Sequence, residues 1–237
     1  MRILKLALKR ETAMPMLALM LASGVSVSLV IARIVWTRNI NYGFLIWNLF
    51  LAWLPVVFAL MACEKYQTGS GRSWRFLALV ATWLLFFPNA PYILTDLIHL
   101  TGSFYRHFWV DLVLILLCAF TGLVLGFVSL YLMQSVVARM LGLWASWLFI
   151  AGVAGLSSFG IYLGRFLRFK SWDVLTKPFA LSRGIGHWAT DPFSHPTTFA
   201  FPALFATFLF LVYVMLYALT HLQQAPHLRL PRKLAQA

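Results

Sequence analysis

The amino-acid sequence predicts an all-α fold: a polytopic transmembrane bundle of six spans, with an amphipathic helix lying in the interface after the fifth. Three observations predict it. The 237 residues are 62% apolar and 11% charged, with a mean hydropathy of +0.83, against about 45–50% and about 25% in soluble domains. The apolar residues gather into six runs of about 20, the length needed to cross a hydrocarbon core. None of these runs alternates with a period of two, which removes a membrane barrel. A soluble enzyme could not bury this much apolar surface and is excluded. The length fits a single integral membrane domain over 1–237.

Residues 1–13 form a basic N-terminal segment carrying Arg2, Lys5, Lys9 and Arg10. The first span, 14–36, follows it. Its basic leader and the small residues Ala22, Ser23 and Gly24 suit a secretory signal. The apolar run, however, outlasts the roughly 7–15 residues of a cleaved segment, so an uncleaved first helix is expected. The remaining spans are 42–63, 74–94, 108–133, 141–163 and 199–222, each bounded by charge, Gly, Pro or aromatic residues. A six-helix bundle thus occupies 14–222, with a long loop at 164–198 and a basic tail at 223–237. No internal repeat is evident. Cys63 and Cys118 both fall inside apolar runs and are expected to act as small apolar side chains rather than as a disulfide.

The formal net charge is +13, from 19 Lys and Arg against 6 Asp and Glu. The basic residues lie between the spans, where they face anionic lipid at a bilayer surface, so nucleic acid is not expected as a partner. With the N-terminus inside, the cytoplasmic segments hold 11 basic residues and the opposite segments 8. This bias favours cytoplasmic N- and C-termini. Gly122 with Gly126 and Gly160 with Gly164 form two GxxxG pairs. Such pairs let helix backbones approach closely. A packing seam within one bundle is expected, with a homo-oligomer face as the alternative.

The polar residues sit at one end. At 1.5 Å per residue, Asn48 lies about 9 Å below Tyr42, and Asn89 about 10 Å before Asp96. Asp111 enters the fourth span by three residues, and Ser157 and Ser158 precede Arg165 by seven or eight. The other leaflet holds no acidic or basic residue at comparable depth. Intramembrane charges usually face the bundle interior in pairs. A carboxylate in a first helical turn is also stabilised by the helix dipole, so Asp111 suits an interfacial cap equally well.

The third span carries Pro88-Asn89-Ala90-Pro91-Tyr92-Ile93-Leu94-Thr95-Asp96-Leu97. Two prolines three apart remove two amide donors and expel carbonyls from the helical ladder. At membrane depth such groups must be satisfied by protein or by a wet cavity. The segment is therefore either a kink, with Asn89 re-satisfying a carbonyl, or a broken helix lining a ligand site. Asp96 with His99 (i, i+3) and His107 with Asp111 (i, i+4) would form an oxygen–nitrogen site for a divalent metal if the pairs faced one another. Nothing else supports a metal, and none is assigned. In the loop, Arg165, Arg168 and Trp172 share a helical stripe, which suits an interfacial amphipathic helix. Arg165 and Arg168 could equally form a fork for a phosphate or carboxylate. No nucleophile elbow, zinc helix or phosphate loop is present.

The block from Pro88 to Leu97 resembles the hallmark of an uncharacterised bacterial integral membrane protein family, a domain-of-unknown-function group. Tyr42-Gly43-Phe44-Leu45 with Trp47-Asn48-Leu49-Phe50-Leu51-Ala52-Trp53 is similar to a second block, and Tyr162-Leu163-Gly164-Arg165-Phe166-Leu167-Arg168 leading to Ser171-Trp172-Asp173 to a third. The resemblance covers residues 40–220, most of the chain. It implies a multi-pass protein of the bacterial cytoplasmic (inner) membrane and implies no activity or cofactor.

The expected ligand site comprises Asn48, Asn89, Tyr92, Asp96, His99, Asp111, Arg165, Arg168 and Asp173. It suits an anionic amphiphile or lipid headgroup: the arginines hold the anion, Asn89 and Tyr92 orient it, and Asp96 with His99 serves as an acid–base pair in an enzymatic version. A secondary transporter or proton-coupled carrier, with Asp96 or Asp111 titrating, is one alternative. A non-catalytic membrane assembly partner is the other. No cofactor is expected.

Overall fold

The computed structural model describes residues 10–70, 73–102, 107–167, 176, 179 and 197–222. Among them every regular element is helical and no strand occurs. Helix α1 (Arg10–Thr37) ends where Arg38 takes a left-handed φ of 52°. A 3₁₀ turn, Ile40–Tyr42, follows, capped by the Asn39 side chain, which accepts from Asn41 N at 3.0 Å. Helix α2 is Phe44–Lys65 and α3 is Trp74–Phe86. The Ser73 hydroxyl caps α3 by accepting from Phe76 N, satisfying an amide that has no partner within the helix. After α3 come the single turn α4 (Asn89–Tyr92) and a 3₁₀ helix, Ile93–Gly102. Helices α5 (Phe108–Leu141), α6 (Leu143–Phe166) and α7 (Thr197–Leu222) complete the fold.

Among the described residues six helical stretches are long and apolar enough to cross a membrane: Met14–Thr37, Ile40–Gly69, Trp74–Leu100, Phe108–Leu141, Leu143–Phe166 and Phe199–Thr220. They coincide with the six runs expected from hydropathy, and the protein is an all-α polytopic bundle. Most extend past the apolar runs, because backbone hydrogen bonding continues into polar residues that end a hydropathy window. The surface helix expected after the fifth span falls almost wholly outside the described residues.

Helix α5 forms the spine. Of its apolar window 61% is buried, against 11% for α7. It packs on α1, α2, α4, the 3₁₀ helix and α6. One core cluster lies along the first part of α5 with α1, α2 from Leu45 to Leu60, and Ala90 and Ile93. The other lies along its second part with the end of α2, α3, α6 and α7. There Trp83 is fully buried, stacks on Phe149 at 5.8 Å and donates its indole N–H to Ser129 Oγ at 3.3 Å. Gly142 alone separates α5 from α6 and holds φ 90°, a value that disfavours any side chain with a Cβ.

The third span is not the straight helix assumed in the depth estimate. Pro88 has no amide to continue α3, so the ladder stops and restarts as α4. The glycine pairs explain where this broken piece fits. A Cβ on Gly122 would stand 2.7 Å from Ile93 Cδ1 and 2.9 Å from the Ala90 carbonyl oxygen, and one on Gly126 would stand 3.1 Å from Ala90 Cβ. From the other side, Gly160 of α6 lies against Pro88, where a Cβ would meet Cγ at 3.1 Å. Residues from both GxxxG pairs therefore clamp one wedge, Pro88–Ile93. They act as a seam within the bundle.

Candidate functional site

The polar residues at the Thr37 end of α1 form two separate centres. The first is built on Asp96, whose side chain is 2% exposed. Its Oδ2 accepts from Asn48 Nδ2 of α2 at 2.8 Å, and its Oδ1 accepts from Arg165 Nη1 of α6 at 3.4 Å. The same nitrogen donates to Tyr92 OH at 3.4 Å, and the guanidinium lies over the Tyr92 ring at 5.6 Å. Arg165 Nη2 donates to the Thr95 carbonyl. His99, one 3₁₀ turn beyond Asp96, has Nε2 at 3.9 Å from Oδ1 and packs its ring against Phe44 at 4.9 Å.

Local sequence explains this convergence. In a 3₁₀ helix residues i and i+3 eclipse, so Asp96 and His99 stand on one line of the Ile93–Gly102 helix, and Tyr92 closes α4 just before it. Asn89 performs the repair considered as one reading of the motif: its Nδ2 donates to the Phe86 carbonyl at 2.9 Å. Arg165 reaches the cluster from the last turn of α6, where a cation also suits the helix dipole.

The second centre is Asp111 in the first turn of α5, 2% exposed. Arg33 of α1 grips it through two nitrogens, Nε to Oδ1 at 2.6 Å and Nη2 to Oδ2 at 3.1 Å. Tyr42 OH donates to Oδ2 at 3.0 Å, and its ring lies 5.7 Å from the Arg33 guanidinium carbon. A buried carboxylate is tolerated when a cation and hydrogen bonds satisfy its lone pairs, and this one has both.

Of the expected site residues, Asn48, Tyr92, Asp96, His99 and Arg165 come together. Asn89 serves the backbone at the break, and Asp111 belongs to the other centre. Arg168 and Asp173 lie outside the described residues. The four metal candidates do not converge. Asp96 and Asp111 face different arginines, and His107 precedes α5 and packs edge-on to Trp36 at 5.4 Å. Among the described residues no group of three or more His, Cys, Asp or Glu could hold a metal ion. Sequence reasoning missed Arg33 and Tyr42. The signal for Arg33 was present: it is an arginine inside the first apolar run, three residues before Trp36, at the same end as Asp111.

The family described as "Protein of unknown function (DUF1361)" matches residues 47–224. The chain belongs to that family. All five residues of the Asp96 centre lie inside the match, as does Asp111, whereas Arg33 and Tyr42 precede it. No curated protein and no solved structure matches the chain.

Proposed function

We propose that this member of the family is a protein of the bacterial cytoplasmic membrane that holds an anionic amphiphile, of the lipid-headgroup class, at the Asp96–Arg165 centre. One observation carries the reading: the centre is buried on its acceptor side and partly exposed on its donor side. Asp96 is 2% exposed, Arg165 16% and His99 47%. The guanidinium lies over the Tyr92 ring at 5.6 Å and is anchored by Asp96 and the Thr95 carbonyl, so an arriving anion meets a cation already in place. Affinity gained this way comes from preorganisation. Both oxygens of Asp96 are engaged, which favours holding a ligand over general-base chemistry. In this reading the site faces the periplasm and both termini are cytoplasmic, in line with the excess of basic residues on the inner side. The wedging of Pro88–Ile93 between α5 and α6 weighs against a carrier that gates at the break.

The test is lipid retention. The protein is extracted from membranes in mild detergent and its bound anionic lipid quantified by mass spectrometry. Arg165→Ala is expected to lose that lipid, and unchanged retention would refute the proposal. A single cysteine at Ser182, in a chain lacking Cys63 and Cys118, tests the orientation. A membrane-impermeant maleimide should label it in intact cells, and protection until lysis would reverse the assigned topology.

A further inference from the structure

The two arginine–carboxylate pairs of this protein close differently. At Asp111 both carboxylate oxygens face one guanidinium, with Arg33 Nε on Oδ1 at 2.6 Å and Nη2 on Oδ2 at 3.1 Å. At Asp96 the oxygens face different helices. Oδ1 accepts from Arg165 Nη1 of α6 at 3.4 Å, while Oδ2 accepts from Asn48 Nδ2 of α2 at 2.8 Å and from no nitrogen of Arg165. An oxygen can accept twice, as Asp111 Oδ2 does from Arg33 and Tyr42. What separates the two pairs is therefore the direction in which the carboxylate is turned, not the number of its bonds.

Local sequence places Asn48 for this. Leu45, Leu49 and Ala52 of α2 are buried, and Asn48 shares their i, i+3, i+4, i+7 face, so its amide is directed into the bundle. Its neutral N–H fixes the carboxylate without adding a charge. Arg165 is left with a donor to spare. It commits Nη1 to Asp96 and Tyr92 and Nη2 to the Thr95 carbonyl, and its Nε donates to no described residue. Among the described residues Ser157 Oγ alone is a fully buried side-chain polar atom without a partner, so the unbonded Arg165 Nε reaches the surface.

We infer that Asn48 is a positioning residue that keeps the Asp96–Arg165 pair from closing on itself, and so keeps the Nε edge of the guanidinium available to an anion. This rests on the reading that the centre holds an anionic headgroup. A guanidinium takes two oxygens at once through a fork of parallel N–H bonds, and Arg33 uses its Nε and Nη2 in this way on Asp111. Without Asn48, Asp96 can turn Oδ2 towards Arg165 and make the two-point pair that Arg33 makes. An intramolecular carboxylate then competes with the outside anion for the same fork. Asn48 acts on the ligand only through Asp96.

Asn48→Leu tests this, because it nearly keeps the size of the side chain and removes its donor. In detergent micelles containing dioleoyl phosphatidylglycerol, protein-bound lipid read by native mass spectrometry should fall about tenfold from the native level. Adding Asp96→Asn to Asn48→Leu should recover most of that loss, since no carboxylate remains to close on Arg165. A merely structural role for Asn48 gives no recovery. A second measurement needs no ligand. The coupling between Asp96 and Arg165, from thermal unfolding of Asp96→Asn, Arg165→Gln and the double variant, should be larger in the Asn48→Leu background than in the native one. Asn48→Ala replaces Asn48→Leu if that chain does not fold. Unchanged lipid retention, unchanged coupling, or a loss that Asp96→Asn does not recover overturns the inference. A native chain that binds no phosphatidylglycerol yet shows the rise in coupling refutes the lipid reading alone and supports the positioning role.

Discussion

Replacing Gly122 by alanine tests the clamp on the third span. The added Cβ stands 2.7 Å from Ile93 Cδ1 and 2.9 Å from the Ala90 carbonyl oxygen. Carbon atoms rest about 3.5–4.0 Å apart, so the first contact is roughly 1 Å too close. Ile93 is fully buried, and the Ala90 oxygen belongs to backbone wedged between α5 and α6, so relief requires moving a helix. Overpacking of this kind costs about 1–3 kcal/mol, while alanine in place of a helical glycine returns about 1 kcal/mol. The expected result is a net loss of up to about 2 kcal/mol. At Gly126 the nearest atom is Ala90 Cβ at 3.1 Å, and near-neutrality is expected. At Gly155 nothing lies within 4 Å, so alanine should gain up to about 1 kcal/mol. Thermal unfolding in detergent, followed by tryptophan fluorescence, reads all three. If Gly122→Ala unfolds at the same temperature as Gly155→Ala, the wedge is not where we place it.

Asp111→Asn should cost about 3–5 kcal/mol because it strands Arg33, whereas Arg33→Met with Asp111→Leu should lie much closer to the native stability. A double variant as unstable as the single one would contradict this. Asn89→Ala removes one bond to the Phe86 carbonyl and should cost about 1 kcal/mol in the same unfolding assay. Ser157 Oγ is fully buried with no hydrogen-bond partner among the described residues, so Ser157→Ala should leave stability unchanged or raise it. A clear loss would show that something unseen satisfies that hydroxyl. Ser129→Ala, by contrast, removes the acceptor of the buried Trp83 indole and should lower the unfolding temperature.

Much of the fold was legible in the sequence because a bilayer imposes one requirement on every span: enough consecutive apolar residues with internal hydrogen bonds. That requirement fixes where helices run but not which face each turns inward. Arg33 shows the gap. By hydropathy it is a flanking charge at the end of the first span, and its role as the partner of Asp111 depends on helix rotation and on a contact 78 residues away. Likewise the two prolines announced a break, but not that a 3₁₀ helix would align Asp96 and His99 while Asn89 turned back to the Phe86 carbonyl. Arg165 was legible as an anion-binding candidate. That Asp96 already holds one edge of its guanidinium could be read only from tertiary structure.

The two ion pairs also differ in when they can close during synthesis. Arg33 has left the ribosome 78 residues before Asp111 emerges, so that carboxylate meets a waiting cation. Asp96 has the opposite schedule, since Arg165 follows it by 69 residues. At about 5–20 residues per second the delay is roughly 3–14 s. Through that interval Asn48 is the earlier-made partner for the carboxylate, and α6 arrives to complete a neighbourhood that has already been assembled around an uncompensated charge.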